Sequence, residues 1–165
     1  MATLVPPSRL RPATVAWRLL APDDLAYVAA LERQIHAAPW TLGNFRDALA
    51  AGYCAMVGER EGRIVAFGVL MLAPGEAQLL NLSVVPDARR HGLGSELLAQ
   101  FLDDALRLGA EQVFLEVRES NAPAIALYER AGFKPVARRE AYYPQGSDGR
   151  PREDALVMRR GVSKP

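Results

Sequence analysis

Two stretches of the chain carry residues whose types and spacing can do chemistry. The first runs Asn81-Leu82-Ser83-Val84-Val85-Pro86-Asp87-Ala88-Arg89-Arg90-His91-Gly92-Leu93-Gly94-Ser95. It reads as a strand, a short basic loop, a glycine turn and the start of a helix. The first N–H groups of a helix have no intrahelical partner, and together with the helix dipole they attract anions. Gly92 and Gly94 let a phosphate approach the backbone with no Cβ in the way. Arg89 and Arg90 add positive charge. A dinucleotide loop needs a third glycine, and a Walker loop needs Gly-Lys-Ser/Thr; both requirements fail at Leu97. Taken alone, the Gly-x-Gly turn serves a tight strand-to-helix connection at least as well as it serves a phosphate.

The second stretch runs from Val113 to Phe133. Glu116 stands inside an apolar strand, Val113-Phe114-Leu115-Glu116-Val117. A carboxylate there is costly unless the place is wet or the charge is paired. It is either a sheet residue facing water or a general base. Asn121 is a helix N-cap by type and position, a role compatible with a ligand contact. Tyr128, between Leu127 and Glu129, reads by itself as core packing. Cys54 lies in an apolar strand with no histidine beside it, as a packed and inert thiol does. His36 and His91 read as loop or surface residues. Two histidines and one cysteine give poor support for a metal site, so none is expected.

The elements that must position these groups are legible from periodicity and breakers. A strand over 14–20 precedes a helix opening at Pro22-Asp23-Asp24. Pro39-Trp40 breaks it, and Thr41 caps a second short helix. Three strands follow over 53–59, 63–72 and 77–85, joined by tight turns at Glu61-Gly62 and Pro74-Gly75. A helix over 92–108 places Leu93, Leu97, Phe101, Ala105 and Leu108 on one face, and Gly109 stops it. A strand over 113–117, a helix over 122–131 and strands over 134–142 and 155–159 complete the chain. The order β-α-α-β-β-β-α-β-α-β-β puts hairpins first and βαβ crossovers second. It implies one α/β domain over 14–160, with a mixed central sheet and helices on both faces. Residues 1–13, with three prolines, read as a flexible lead, and 161–165 as a tail.

Composition excludes several classes. The 165 residues are 50% hydrophobic and 24% charged, ordinary for a globular chain. Lys plus Arg is 20 against Asp plus Glu 19, so the net charge is +1, which argues against a general nucleic-acid binder. One cysteine permits no internal disulfide and fits a reducing compartment. No apolar run approaches the ~18 residues of a membrane span, and the N-terminus lacks the apolar core of a signal peptide. Cytoplasm is the expected location.

With these elements in place, Arg89-x-x-Gly92-x-Gly94 after a Leu-Ser-Val strand resembles the acetyl-CoA pyrophosphate loop of the GNAT acetyltransferase family. The likeness spans residues 14–160. Within that family, Leu115-Glu116-Val117-Arg118-x-x-Asn121-x-x-Ala124-Ile125-x-Leu127-Tyr128-x-x-x-Gly132-Phe133 is similar to the ribosomal-protein-alanine N-acetyltransferases. His36-Ala37-Ala38-Pro39-Trp40, Tyr142-Tyr143-Pro144, and Asp148-Gly149-Arg150 with Glu153-Asp154-Ala155 agree with that branch and stand in its order.

The resemblance implies a bulged strand before the loop. The main chain of Leu82, Ser83 and Val84 would bind the thioester carbonyl and the pantetheine arm. The main-chain N–H groups of Arg90, His91, Gly92, Leu93, Gly94 and Ser95, beside Arg89, would hold the pyrophosphate. Asn121 would contact the cofactor, Glu116 would be the base and Tyr128 the general acid, with direct transfer in a ternary complex. The implied partners are acetyl-CoA, as cosubstrate without a metal, and the N-terminal alanine of a small-subunit ribosomal protein. Neither nucleic acid nor membrane is implied. Trp40 and Tyr142 would border the acceptor, with Glu119 and Asp154 near a basic tail. A broader set of protein N-termini, a small amine, or a non-catalytic acetyl-CoA-binding module are the alternatives. Pro151-Arg152 interrupts the Gly-Arg-Glu-Asp pattern and lengthens the last hairpin turn.

Overall fold

Every expected element forms, in the expected order, in the computed structural model, which describes residues 14–145 and 149–163. The expected N-terminal lead and Asp148 lie outside the described residues. The strands are β1 (Ala16–Leu19), β2 (Cys54–Arg60), β3 (Arg63–Ala73), β4 (Glu76–Val84), β5 (Gln112–Arg118), β6 (Lys134–Tyr143) and β7 (Glu153–Gly161). The helices are α1 (Leu25–Ile35), α2 (Leu42–Ala50), α3 (Leu93–Arg107) and α4 (Ala122–Arg130).

Three boundaries differ from the periodicity, each for a local reason. Pro22–Asp24 is a 3-10 turn, and α1 starts at Leu25. Asp24 leaves the helical pattern because its carboxylate accepts the Ala21 N–H at 2.7 Å and pairs with Arg18 at 2.7 Å. Leu108 follows the last residue of α3 and is exposed, so the buried face is Leu93, Leu97, Leu98, Phe101, Leu102 and Ala105. β7 runs through Gly161 because Arg160 and Gly161 continue its pairing with Val113 and Gln112 of β5, which puts the start of the expected tail inside a strand.

The strands form one seven-stranded sheet in the order β1-β2-β3-β4-β5-β7-β6. All neighbours are antiparallel except β4 and β5, which α3 joins as a parallel crossover. On one face α1 and α2 pack Val28, Ala29, Phe45 and Ala48 against Ala55, Val57, Phe67 and Val69. On the other, α3 and α4 pack Leu97, Leu98, Phe101 and Tyr128 against Leu70, Leu79, Val113 and Leu115.

Two irregularities in β4 shape the site. Val69 pairs with Asn81 and Leu70 with Leu79, so Leu80 is an extra residue, a bulge of the kind the resemblance implies. An inserted residue shifts the period-2 alternation beyond it. Asn81 and Ser83 therefore face α1, while Leu82 packs toward the α3–α4 core. The second irregularity is that the β4–β5 ladder stops at Leu79↔Leu115 although both strands continue.

Candidate active site

Past Leu79 and Leu115, β4 stays with β3 and β5 stays with β7, so the sheet splits. Two cavities occupy the split. One, of about 460 Å³, is walled by Glu32, Trp40, Asn81, Glu116, Arg118, Tyr143 and Arg150, among others. The second, of about 700 Å³, is walled by Ser83, Val84, Arg89, Arg90, Gly92, Leu93, Gly94 and Ser95, with α4 opposite. Ile35, His36, Leu82, Asn121, Ala124 and Tyr128 line both, so the cavities meet there.

The larger cavity is suited to phosphate. Arg90 (φ 66°) and Gly92 (φ 77°) both adopt left-handed backbone just ahead of α3. Turns of this kind gather main-chain N–H groups into an anion-binding concavity. Glycine enters that conformation freely, whereas Arg90 holds it against a steric cost, a feature concentrated at functional loops. The Arg89 Nε donates to the Val84 carbonyl at 3.2 Å, which ties the loop to the end of β4. A Cβ on Gly94 would stand 3.4 Å from Leu127 and 3.8 Å from Val84, so this glycine keeps the gap between α3 and α4 open. Arg130 of α4 brings a third guanidinium that the sequence motifs did not flag. His91, expected in this group, is in the loop but does not line the cavity.

Asn121 caps α4, accepting the Ala124 N–H at 3.3 Å, and also stands where the cavities meet. Tyr128 is buried, edge-on to Phe133 at 5.9 Å, and burial drives its phenol far above the ordinary range. It stays a protonated O–H donor at any working pH. Glu116 resolves the cost of a carboxylate in an apolar strand by pairing. Its Oε1 lies 3.2 Å from the Arg139 Nε, and the carboxylate raises the pKa of the Tyr142 hydroxyl.

The rim is built by an arch in β6. Arg139 pairs with Ala155 and Tyr143 with Glu153, so β6 carries two extra residues, and Ala141 takes φ 46°. Asp154 accepts the Ala141 N–H at 2.8 Å, and Arg152 Nε donates to the Ala141 carbonyl at 3.1 Å. The Pro151-Arg152 interruption thus supplies a clamp for the arch. The arch brings Tyr143 into the smaller cavity, under the Arg118 guanidinium at 4.3 Å; burial and the nearby Glu116 push its phenol up to about 12. Tyr142, the tyrosine singled out from the sequence, is exposed beside Arg139 and is not among the described residues that line the two cavities. Trp40 lines the cavity and also packs on Phe45 at 5.1 Å. Glu119 and Asp154 are both engaged with Arg138, at 2.7 and 3.5 Å.

Sequence reasoning missed a buried polar group. Glu32 of α1 is 2% exposed and accepts from the Trp40 N–H and Asn81 Nδ2, both at 3.1 Å. Ser83 Oγ lies 2.9 Å from Asn81 Oδ1 and 2.8 Å from His36 Nε2. His36 is half-buried, and desolvation lowers its pKa. The available signal was Glu32 itself, which shares the apolar face of α1 with Val28 and Ala29. Cys54 is half-buried, and burial and the neighbouring Asp104 raise its thiol to about 11. Among the described residues, no group of three or more His, Cys, Asp or Glu could hold a metal ion.

A split mixed sheet, a left-handed turn ahead of α3 and a paired carboxylate form an arrangement suited to acyl transfer. The sequence profile of the acetyltransferase (GNAT) family matches residues 16–133. The chain is 39% identical over 140 residues to the [ribosomal protein bS18]-alanine N-acetyltransferase of Escherichia coli K12, covering 85% of this chain and 93% of that one. It is 36% identical over 145 residues to the enzyme of that name from Salmonella typhimurium, covering 88% and 96%. The crystal structure of the ribosomal-protein-S18-alanine N-acetyltransferase from E. coli superposes with a TM-score of 0.83 at 36% identity, covering 92% of this chain and 96% of that chain. The chain belongs to the GNAT acetyltransferase family. It is an N-acetyltransferase that uses acetyl-CoA.

Proposed function

We propose that this enzyme acetylates the α-amino group of the N-terminal alanine of a small-subunit ribosomal protein in the cytoplasm. The observation that carries this is the meeting of the two cavities at His36, Asn121 and Tyr128, with a phosphate nest on one side and Glu116 on the other. The acceptor assignment draws its support from relatives that bear that activity in their names. The absence of a helix long and apolar enough to cross a membrane, among the described residues, is compatible with the location.

In this reading the turn from Arg90 to Ser95, with Arg89 and Arg130, holds the diphosphate, and the main chain of Leu82, Ser83 and Val84 lines the path of the thioester. An α-amine has an ordinary pKa of about 7.7–8.0, so a carboxylate needs only modest driving force to deprotonate it. Glu116 takes that proton. Main-chain N–H groups near Val84 stabilise the oxyanion. The Tyr128 O–H donates toward the departing sulfur, whose thiol pKa near 8.5 already makes it a fair leaving group. Trp40 and Tyr143 flank the entering peptide.

Mass spectrometry of the protein with acetyl-CoA and a peptide panel tests the reading. The panel holds the alanine-starting ribosomal N-terminus, the same peptide N-blocked with a free lysine, other N-termini and polyamines. Acetylation confined to the α-amine of the alanine peptide is expected. Modification of many N-termini would broaden the acceptor while keeping the chemistry. No acetylation alongside normal acetyl-CoA binding would refute the acceptor assignment.

A further inference from the structure

Among the described residues, two side chains with a titratable proton stand where the cavities meet, and they come from opposite walls: Tyr128 from α4 and His36 from the end of α1. Glu116 lines the acceptor cavity but not that meeting point. The hydrogen-bond chain behind His36 fixes its state. Asn81 gives its Nδ2 to Glu32, so its Oδ1 faces Ser83 as an acceptor at 2.9 Å. Ser83 has one proton, and the oxygens that can take it are Asn81 Oδ1 at 2.9 Å and Glu32 Oε2 at 3.5 Å. Its oxygen therefore accepts from His36 Nε2 at 2.8 Å. This places the imidazole hydrogen on Nε2 and leaves the lone pair on Nδ1. The charged groups around the ring are Glu32 of α1, Arg89 of the loop before α3 and Arg118 of β5. The two arginines reinforce desolvation in favouring neutral imidazole, and Glu32 opposes them.

We propose that His36 is a second proton acceptor of the transfer reaction, working through Nδ1 where donor and acceptor meet, with Ser83, Asn81 and Glu32 as the residues that hold its tautomer. The proposal rests on the acyl-transfer reading above and answers a count of protons. The entering ammonium loses one proton to Glu116 and becomes an amine. The nitrogen lone pair forms the C–N bond as the carbonyl π pair moves to oxygen. On collapse the C–S bond breaks, its electron pair leaves on sulfur, and the nitrogen must lose a second proton. That proton goes to His36 Nδ1. The thiolate is protonated through Tyr128, which recovers its proton from the imidazolium, and the proton on Glu116 leaves to solvent. One proton is released per turnover.

The test has a spectroscopic arm and a kinetic arm on the full chain. Long-range 1H–15N spectra see two histidines, and the set lost in His36→Gln belongs to His36. A neutral Nε2–H tautomer at pH 7 is expected; an Nδ1–H tautomer or an imidazolium overturns the proposal whether or not any peptide is acetylated. In kinetics, the amide N–H of His36→Gln still reaches Ser83 but the side chain is no base. Its kcat should fall on the order of 10²-fold with the acetyl-CoA Kd within about twofold. Imidazole should partly restore His36→Ala, and 4-methylimidazole, the stronger base, should restore it more. A His36→Gln enzyme with wild-type kcat, or one altered in KM alone, would reduce His36 to a support for Ser83 and overturn the proposal. Failure of the wild-type chain on every peptide would instead refute the acceptor assignment and leave the spectrum to decide.

Discussion

Glu116 and Tyr128 occupy environments that predict different losses. Glu116 is paired to an exposed Arg139, so Glu116→Gln strands little charge. It should fold normally and lose about 10²–10⁴-fold in kcat, as removal of one acid–base group does. Tyr128→Phe keeps the ring against Phe133 and, in the mechanism proposed above, removes only a donor to a sulfur that departs fairly well unaided. Its loss should be smaller than that of Glu116→Gln, in the range of about 10–10²-fold. Steady-state kinetics on the two variants checks the order, and a larger loss in Tyr128→Phe would make leaving-group protonation the harder step. Cys54 offers a third residue-scale check. With its thiol at about 11, against an ordinary value near 8.5, native Cys54 should react with a disulfide reagent at pH 8 about 10²-fold more slowly than a free thiol, and at the normal rate once unfolded.

At the scale of elements, the β4 bulge and the close approach of α3 depend on one small residue. Gly68 of β3 pairs with Leu82, and a Cβ there would meet the Asn81 carbonyl oxygen at 2.6 Å and the Phe101 ring at 2.8 Å. The carbonyl belongs to the bulged strand and cannot swing aside as a flexible side chain would. Gly68→Ala should therefore cost about 1–3 kcal/mol in urea unfolding, the usual penalty of overpacking a core, and should raise the KM for acetyl-CoA because the displaced strand lines the cavity proposed to hold it. An unchanged urea midpoint would show that β4 gives way at no cost. This dependence was not legible in advance. Alternation within β3 marks Gly68 as a sheet residue, but only the pairing with β4 shows what lies over it.

Across the whole molecule, stability should fall in two stages on acidification. Desolvation holds the His36 pKa below its ordinary value of about 6.5. The unfolded chain then takes up a proton that the folded chain refuses, so this contribution is complete above about pH 6.5 and is lost as pH falls from there through the lower folded value. Asp24 is held below the ordinary carboxylate range by Arg18, whose guanidinium also pairs with Glu59 at 2.6 Å and so ties the first turn to β1 and β2. Its contribution is complete above about pH 4 and is lost as pH falls through its lower folded value. Urea midpoints at pH 7.5, 5.5, 4 and 3 should drop at both steps. The first drop should shrink in His36→Gln and the second in Asp24→Asn, and midpoints flat to pH 4 would contradict a desolvated His36.

The sequence by itself determined the order and type of the elements, since those follow from local periodicity, caps and breakers such as Thr41, Pro86 and Gly109. It also placed the Gly92–Gly94 turn ahead of α3 and set Glu116 and Tyr128 within one short segment, while the roles expected of them came from the family resemblance. Only the tertiary structure decided what non-local contacts set. The end of the β4–β5 ladder opened the two cavities. One inserted residue in β4 turned Asn81 and Ser83 toward Glu32 and His36, some fifty positions away, and two in β6 brought in Tyr143 rather than Tyr142. A bulge moves every side chain beyond it without leaving a periodicity that the sequence alone can show, because its signature is a pairing between strands.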